Sequence, residues 1–165
     1  MDVLIEVSLG SNLKYEYCHK ENKLILDRVL HNSNVFPYNY GFIPNTLSPD
    51  GDPLDAIVLS DYSLVPGSYV KCKVLGGIET SDENGLDDKI ILIPDDNIDY
   101  KSKYYKELND LPNYVLDKIK YFLSHYKDNE ENKYIIIKEF YNKAEALNRI
   151  NKYKLDNWIT KPSFR

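Results

Sequence analysis

The sequence is poor in the residues that organise several common kinds of site. It has two cysteines and three histidines among 165 residues. Cys18 and Cys72 stand far apart and fit no metal spacing, so both are expected to be reduced structural thiols. His19, His31 and His125 are scattered, which argues against a zinc centre. No apolar run approaches the roughly 20 residues of a membrane span. The opening "MDVLIEVSLG" carries Asp2 and Glu6 inside its apolar pattern and lacks the basic start and long apolar core of a signal peptide. A cytoplasmic protein with no membrane partner is expected. Positive charge is also in deficit, with a formal net charge of −5. Such a chain is not built to coat nucleic acid through its overall field, although local basic sites are compatible with it.

What is present is globular in composition, with 42% apolar and 28% charged residues. The length fits one domain spanning 1–165 and allows a real hydrophobic core. Tyrosine is unusually common, at 15 residues. The first two thirds read as strands. "VLIEV" alternates from Val3, and "KYEY" places Lys14 and Glu16 on one face with Tyr15 and Tyr17 on the other. "KLILDR" from Lys23, "DAIVLSD" from Asp55, "SYVKCKVLG" from Ser68 and "KIILIP" from Lys89 are further strand candidates. The pair Asn84-Gly85 is a strong turn signal.

The period changes in the last third. Val115, Ile119, Phe122, Leu123 and Tyr126 recur at helical spacing, with Pro112 suited to the first turn. "KYIIIKEF" from Lys133 returns to strand. Asn142 followed by Glu145 resembles a capping box that opens a helix running to about Tyr153. The fold class expected is α+β, mainly β: a small barrel of five or six strands with two or so helices packed outside.

Two acidic clusters carry the chemistry. "DGDPLD" sets Asp50, Asp52 and Asp55 within six residues. Alone it reads first as a solvated turn, since Asp, Gly and Pro are ordinary turn formers. An EF-hand loop fails, because position 6 counted from Asp50 is Asp55 rather than glycine. The second cluster, "DENGLDDK", adds Asp82, Glu83, Asp87, Asp88 and Lys89 and reads as a loop between strands. Brought together, four or more carboxylates would repel unless each stays in water or hard cations neutralise them. All-oxygen donors with few His or Cys suit Mg²⁺ or Mn²⁺. Lys14, Arg28, Lys89, Tyr126 and Lys127, with Tyr38 and Tyr40 of "FPYNYGFIP", are candidate donors to a phosphate. Each also has a bland reading as a solvated lysine or a packed tyrosine.

"DGDPLDA" resembles the signature of soluble family I inorganic pyrophosphatases of the bacterial type. "LKYEY", "LILDR", "FPYNYGFIP", "PGS.VKCKVLG", "DE.GLDDKI", "DLP" and "FLSHYKD" fall in that family's order and near its spacing, from about Leu4 to Leu147. The resemblance implies a five-stranded OB-type barrel. It implies hydrolysis of pyrophosphate to two phosphates by a metal-activated water, with several Mg²⁺ per site. Asp50, Asp55 and Asp87 would hold the first ion, with Asp55 bridging to a second. Asp82 and Asp87 would hold those arriving with substrate. Glu6 and Glu16 match carboxylates that support metal-bound waters, Glu6 within the metal set and Glu16 beside the substrate. Asp52 matches the general base. Lys14, Arg28, Tyr40, Lys89, Tyr126 and Lys127 match residues on the phosphoryl oxygens. Asp88 matches no family role and reads as a solvated loop residue. A homo-hexamer is implied as well.

The chain departs from the family pattern in places. Phe36 stands where many members carry Tyr, and its ring is expected to wall the site without the hydroxyl. Tyr121 stands where a His often lies in subunit contacts. The tail after Tyr153 has no assigned counterpart. The alternative reading is a non-catalytic OB-fold module that binds oligonucleotides. Acidic loops would repel a phosphate backbone there.

Overall fold

The computed structural model describes residues 1–155. Eight strands and two helices follow one another as β1 (Asp2–Val7), β2 (Leu13–Cys18), β3 (Lys23–Val29), β4 (Asn39–Ile43), β5 (Leu54–Val58), β6 (Tyr69–Asp82), β7 (Gly85–Pro94), α1 (Asn113–His125), β8 (Ile135–Asn142) and α2 (Lys143–Tyr153). Five strands close on themselves in the order β1-β4-β5-β7-β6, because β6 also pairs with β1. This is the five-stranded ring expected of an OB-like fold. β6 is 14 residues long. Its start meets β1 and its second half, from Gly76, meets β8. β2 and β3 form a separate hairpin.

The strands are two-faced, and this positions everything else. Along β5 and β7, Leu54, Ala56, Val58, Ile90 and Leu92 join an apolar cluster closed by Ala146 and Ile150 of α2. The intervening Ile57, Ile91 and Ile93 join a second cluster, closed by Val115, Ile119, Phe122 and Leu123 of α1. Spacing of three and four residues lays those α1 side chains along one stripe. Burying Phe122 alone contributes about 1.5–3 kcal/mol. α2 begins where expected: the Asn142 side chain accepts from the Glu145 N–H at 2.9 Å, which satisfies one of the helix's open donors.

Three differences from the sequence reading stand out. β4 is not among the strand candidates read from the sequence, yet it is a strand inserted between β1 and β5. Its Gly41 lies against β1 so closely that a Cβ would fall 1.9 Å from the Leu4 carbonyl oxygen. The second acidic cluster is not a loop. Ser81 and Asp82 end β6, Gly85 opens β7 at φ +108°, and only Glu83 and Asn84 lie between. The start of the tail is also placed. Lys154 bridges to Thr46 and the Leu155 N–H donates to Asn45. The rest of the tail, 156–165, lies outside the described residues. Cys18 and Cys72 are both free thiols, and burial pushes Cys72 up to about 12.

Candidate active site

β5 and β7 are parallel neighbours with Asp55 opposite Lys89. On β7 the two-residue period puts Asp87 on the same face as Lys89. On β4, Tyr40 lies diagonally across from Asp55 on that face. The result is a compact knot. The Lys89 ammonium donates to Tyr40 Oη at 2.7 Å, to Asp55 Oδ2 at 2.9 Å and to Asp87 Oδ2 at 2.9 Å. Tyr40 in turn donates to Asp55 Oδ2 at 2.8 Å. Lys89 is 1% exposed. Burial opposes its charge, but Asp55 and Asp87 outweigh that and raise it well above an ordinary lysine. Asp87 moves the other way from a surface carboxylate. Burial drives it up to about 6, Lys89 pulls it down, and Asp55 adds to the rise.

The knot forms the floor of a cleft of about 150 Å³. β1 contributes Glu6, buried and accepting from the Tyr17 N–H at 2.7 Å. β2 contributes Lys14 and Glu16, paired at 2.6 Å on one side of the strand, as alternation requires. The β4–β5 loop contributes Asp50 and Asp52. It is folded tightly: Asp50 Oδ1 accepts from the Asp52 N–H at 3.0 Å, with Gly51 between them at φ +90°. Burial raises Asp50. Asp82 at the end of β6 pairs with Lys127 at 3.3 Å. Tyr126, directly after α1, is buried and stacks on Phe122. Arg28 of β3 reaches the cleft with its Nε 2.9 Å from Glu130 and its Nη1 on Asp27.

The thirteen residues that the family resemblance assigns to the site all border this one cleft, whereas Tyr38, the other candidate donor to a phosphate, lines a separate pocket with Asp61, Tyr105 and Tyr114. Sequence reasoning missed Tyr15, Asn84, Lys133 and the role of Glu83 in its wall. Glu83 pairs with Lys133 at 3.1 Å. It missed Glu130 as well, whose side chain is 5% exposed beside Arg28.

Two further residues are not where the sequence put them. Asp88 is 4% exposed rather than solvated. It lies on the opposite face of β7 and accepts from Arg149 Nη1 at 2.7 Å and from Tyr141 Oη at 3.2 Å. Phe36 does not border the cleft. It is fully buried behind it, with its ring centroid 5.4 Å from Tyr40 and 4.6 Å from Phe122.

The donor set fits hard cations. Eight carboxylates line the cleft (Glu6, Glu16, Asp50, Asp52, Asp55, Asp82, Glu83 and Asp87) against five cations (Lys14, Arg28, Lys89, Lys127 and Lys133), an excess of three negative charges. No histidine or thiol is among them, which suits Mg²⁺ or Mn²⁺. Among the described residues, no three such groups are drawn together as they would be around an ion. An ammonium stands between Asp55 and Asp87 instead. The cations around the carboxylates suit a small, dense anion brought in with counter-ions.

A five-stranded OB-like ring whose cleft sets eight carboxylates among lysine and arginine side chains suits a hydrolase that acts on a small phosphate-bearing anion. The comparisons name the family within that class. The family model described as inorganic pyrophosphatase matches residues 3–157. A Helicobacter pylori inorganic pyrophosphatase is 47% identical over 150 residues, 91% of this chain and 87% of its own. One from Saccharolobus solfataricus is 45% identical over 152 residues, 92% and 88% of the two chains. A solved Helicobacter pylori inorganic pyrophosphatase superposes with a TM-score of 0.91 at 46% identity, covering 93% and 90%. The chain belongs to the inorganic pyrophosphatase family, and it is a hydrolase of that kind.

Proposed function

We propose that the protein hydrolyses inorganic pyrophosphate to two phosphates with Mg²⁺ held by Asp50, Asp55, Asp82 and Asp87. The supporting observation is the knot of Asp55, Asp87, Tyr40 and Lys89 at the floor of a cleft with three negative charges in excess. Magnesium bound there would lower the pKa of a coordinated water toward neutrality and offset the charge of the substrate. Asp52, at the cleft wall on a loop fixed by Asp50, accepts the proton as the water oxygen attacks phosphorus and the bridging P–O bond breaks. Glu6 and Glu16 accept hydrogen bonds from ordered waters. Lys14, Arg28, Tyr40, Lys89, Tyr126 and Lys127 meet the phosphoryl oxygens and stabilise charge on the departing phosphate. Burial raises the Tyr40 and Tyr126 hydroxyls, which keeps them protonated donors at neutral pH.

The test is phosphate release from pyrophosphate with Mg²⁺ and with a chelator. Mg²⁺-dependent release is expected, and none under any divalent cation would overturn the reading. Salt-dependent binding of single strands without phosphate release would favour an oligonucleotide-binding module instead. The carboxylate excess in the cleft opposes that outcome.

One catalytic domain, a homo-hexamer and a cytoplasmic location complete the proposal. No helix among the described residues is long and apolar enough to cross a membrane. Tyr121 is 63% exposed on α1. It is available for subunit contacts made by ring packing and a hydroxyl rather than by an imidazole charge. A monomer by light scattering at micromolar concentration would overturn the assembly.

A further inference from the structure

We propose that Lys89 is the resident counter-ion of the cleft: it gathers Asp55 and Asp87 in the ion-free protein and must give up at least one of them when a divalent cation binds. This rests on the reading of the cleft as a divalent-cation site.

A lysine ammonium has three hydrogens and no acceptor. Here all three are used, on Tyr40 Oη at 2.7 Å and on one oxygen each of Asp55 and Asp87 at 2.9 Å. The group is 1% exposed, so no water replaces a lost partner at low cost. A donor with no hydrogen left cannot also hold a phosphoryl oxygen. The role in substrate binding therefore requires a second arrangement, in which at least one carboxylate has been given up.

Both carboxylates are also the proposed ion ligands. Divalent cations and the ammonium then compete for the same two carboxylates. The competition has two consequences. The ligands are held close together before any ion arrives, which limits the repulsion between Asp55 and Asp87. Ion binding frees donors on Lys89 beside the cleft, where a dense anion needs them. The other lysines are placed differently: Lys14 is engaged with Glu16, outside the proposed ligand set, and Lys127 meets one proposed ligand, Asp82, at the longer distance of 3.3 Å.

The alternative is a permanent ion pair that stays in place when the site fills. Calorimetric titration with Mn²⁺, without substrate, tests the exchange, and the Lys89 Nζ signal sets it apart from the permanent pair. Lys89→Met removes the competitor, so the first Mn²⁺ should bind roughly tenfold tighter or more. In chelator the variant should melt lower than the unaltered protein, and Mn²⁺ should raise its Tm by the larger amount. Unchanged or weaker Mn²⁺ binding by folded Lys89→Met overturns the exchange. A second measurement needs no variant. In protein labelled with ¹⁵N-lysine, the buried Lys89 Nζ signal should move on Mg²⁺ saturation, and a signal that stays overturns the exchange. Failure of the unaltered protein to bind Mn²⁺ at all would overturn the cation reading of the cleft, and the exchange with it.

Discussion

Asp87 and Asp88 are consecutive on β7 and serve opposite faces of the sheet. Asp87 accepts from Lys89 at 2.9 Å in the cleft, and Asp88 accepts from Arg149 at 2.7 Å beneath α2. Arg149 also holds Glu79 at 2.9 Å and Glu145 at 2.8 Å and lies over the Tyr141 ring. The strand alternation thus divides one acidic run between a half that faces the cleft and a half that packs beneath α2.

Asp88→Asn is expected to cost stability and spare activity. The amide keeps one hydrogen bond to Arg149 but loses the charge, at about 1–3 kcal/mol. That corresponds to a Tm lower by about 2–10 °C for a chain of this size. Turnover per folded molecule should stay within about threefold. Asp55→Asn should instead reduce kcat by about a hundredfold or more while the protein remains folded. Thermal melts beside steady-state rates make the comparison. Equal losses of turnover in both folded variants would mean that Asp88 belongs to the chemistry.

Much of this was legible in the sequence, for physical reasons. Lys14 and Glu16, two apart on a strand, had to share a face, and they are paired. α1 and α2 announced themselves through spacing and a cap. What escaped was whatever depends on a distant neighbour. Gly41 has no side chain because β1 passes against it, so β4 shows no alternation to read. Glu130 and Lys133 are charged residues in a polar stretch and look solvated until Arg28 and Glu83 are seen beside them. Asp88 looked like a loop residue because the ladder running on to the Glu83-Asn84 turn is set by pairing, not by local composition.

Phe36→Tyr should alter kcat/KM by no more than about tenfold, the worth of one neutral hydrogen bond of 0.5–1.5 kcal/mol. The ring does not border the cleft, so the added hydroxyl would reach it only through Tyr40. A void of about 10 Å³ beside Phe36, walled by Ile57, Ile119, Phe122 and Leu123, has room for an oxygen but offers it mostly carbon. A Tm lower by a few degrees is expected. A gain in kcat/KM above a hundredfold would show that the phenylalanine cripples the natural site.

Ca²⁺ as the sole cation should support no turnover and should inhibit alongside Mg²⁺. It accepts six to eight oxygens in loose geometry, whereas Mg²⁺ demands a strict octahedron. The carboxylates of the cleft can satisfy either, but only the stricter ion fixes the angles between its ligands. Undiminished phosphate release in Ca²⁺ alone, with contaminating Mg²⁺ excluded by a selective chelator control, would contradict this.

Divalent affinity should fall as the pH drops through about 6, and Asp87 sets the window. Its folded carboxyl is raised to about 6, first by burial and further by Asp55, against the pull of Lys89. An unfolded aspartate titrates near 3.9. A raised carboxylate means that the folded chain holds the proton more tightly than the unfolded one. Ionised Asp87 therefore costs stability in the ion-free protein above pH 6, and that cost is relieved as the pH falls from 6 toward 4. A bound cation needs the ionised form and favours the opposite side. Between about pH 7.5 and 5.5 protonation of this one group should weaken Mn²⁺ binding. Asp87→Asn should bind Mn²⁺ more weakly throughout and lose most of that pH dependence. Calorimetry at the two pH values, with melts in chelator as the counterpart, reads both halves. A pH dependence unchanged in Asp87→Asn would move the titrating group elsewhere in the cleft, with Asp50, the other metal-set carboxyl raised by burial, the first to examine.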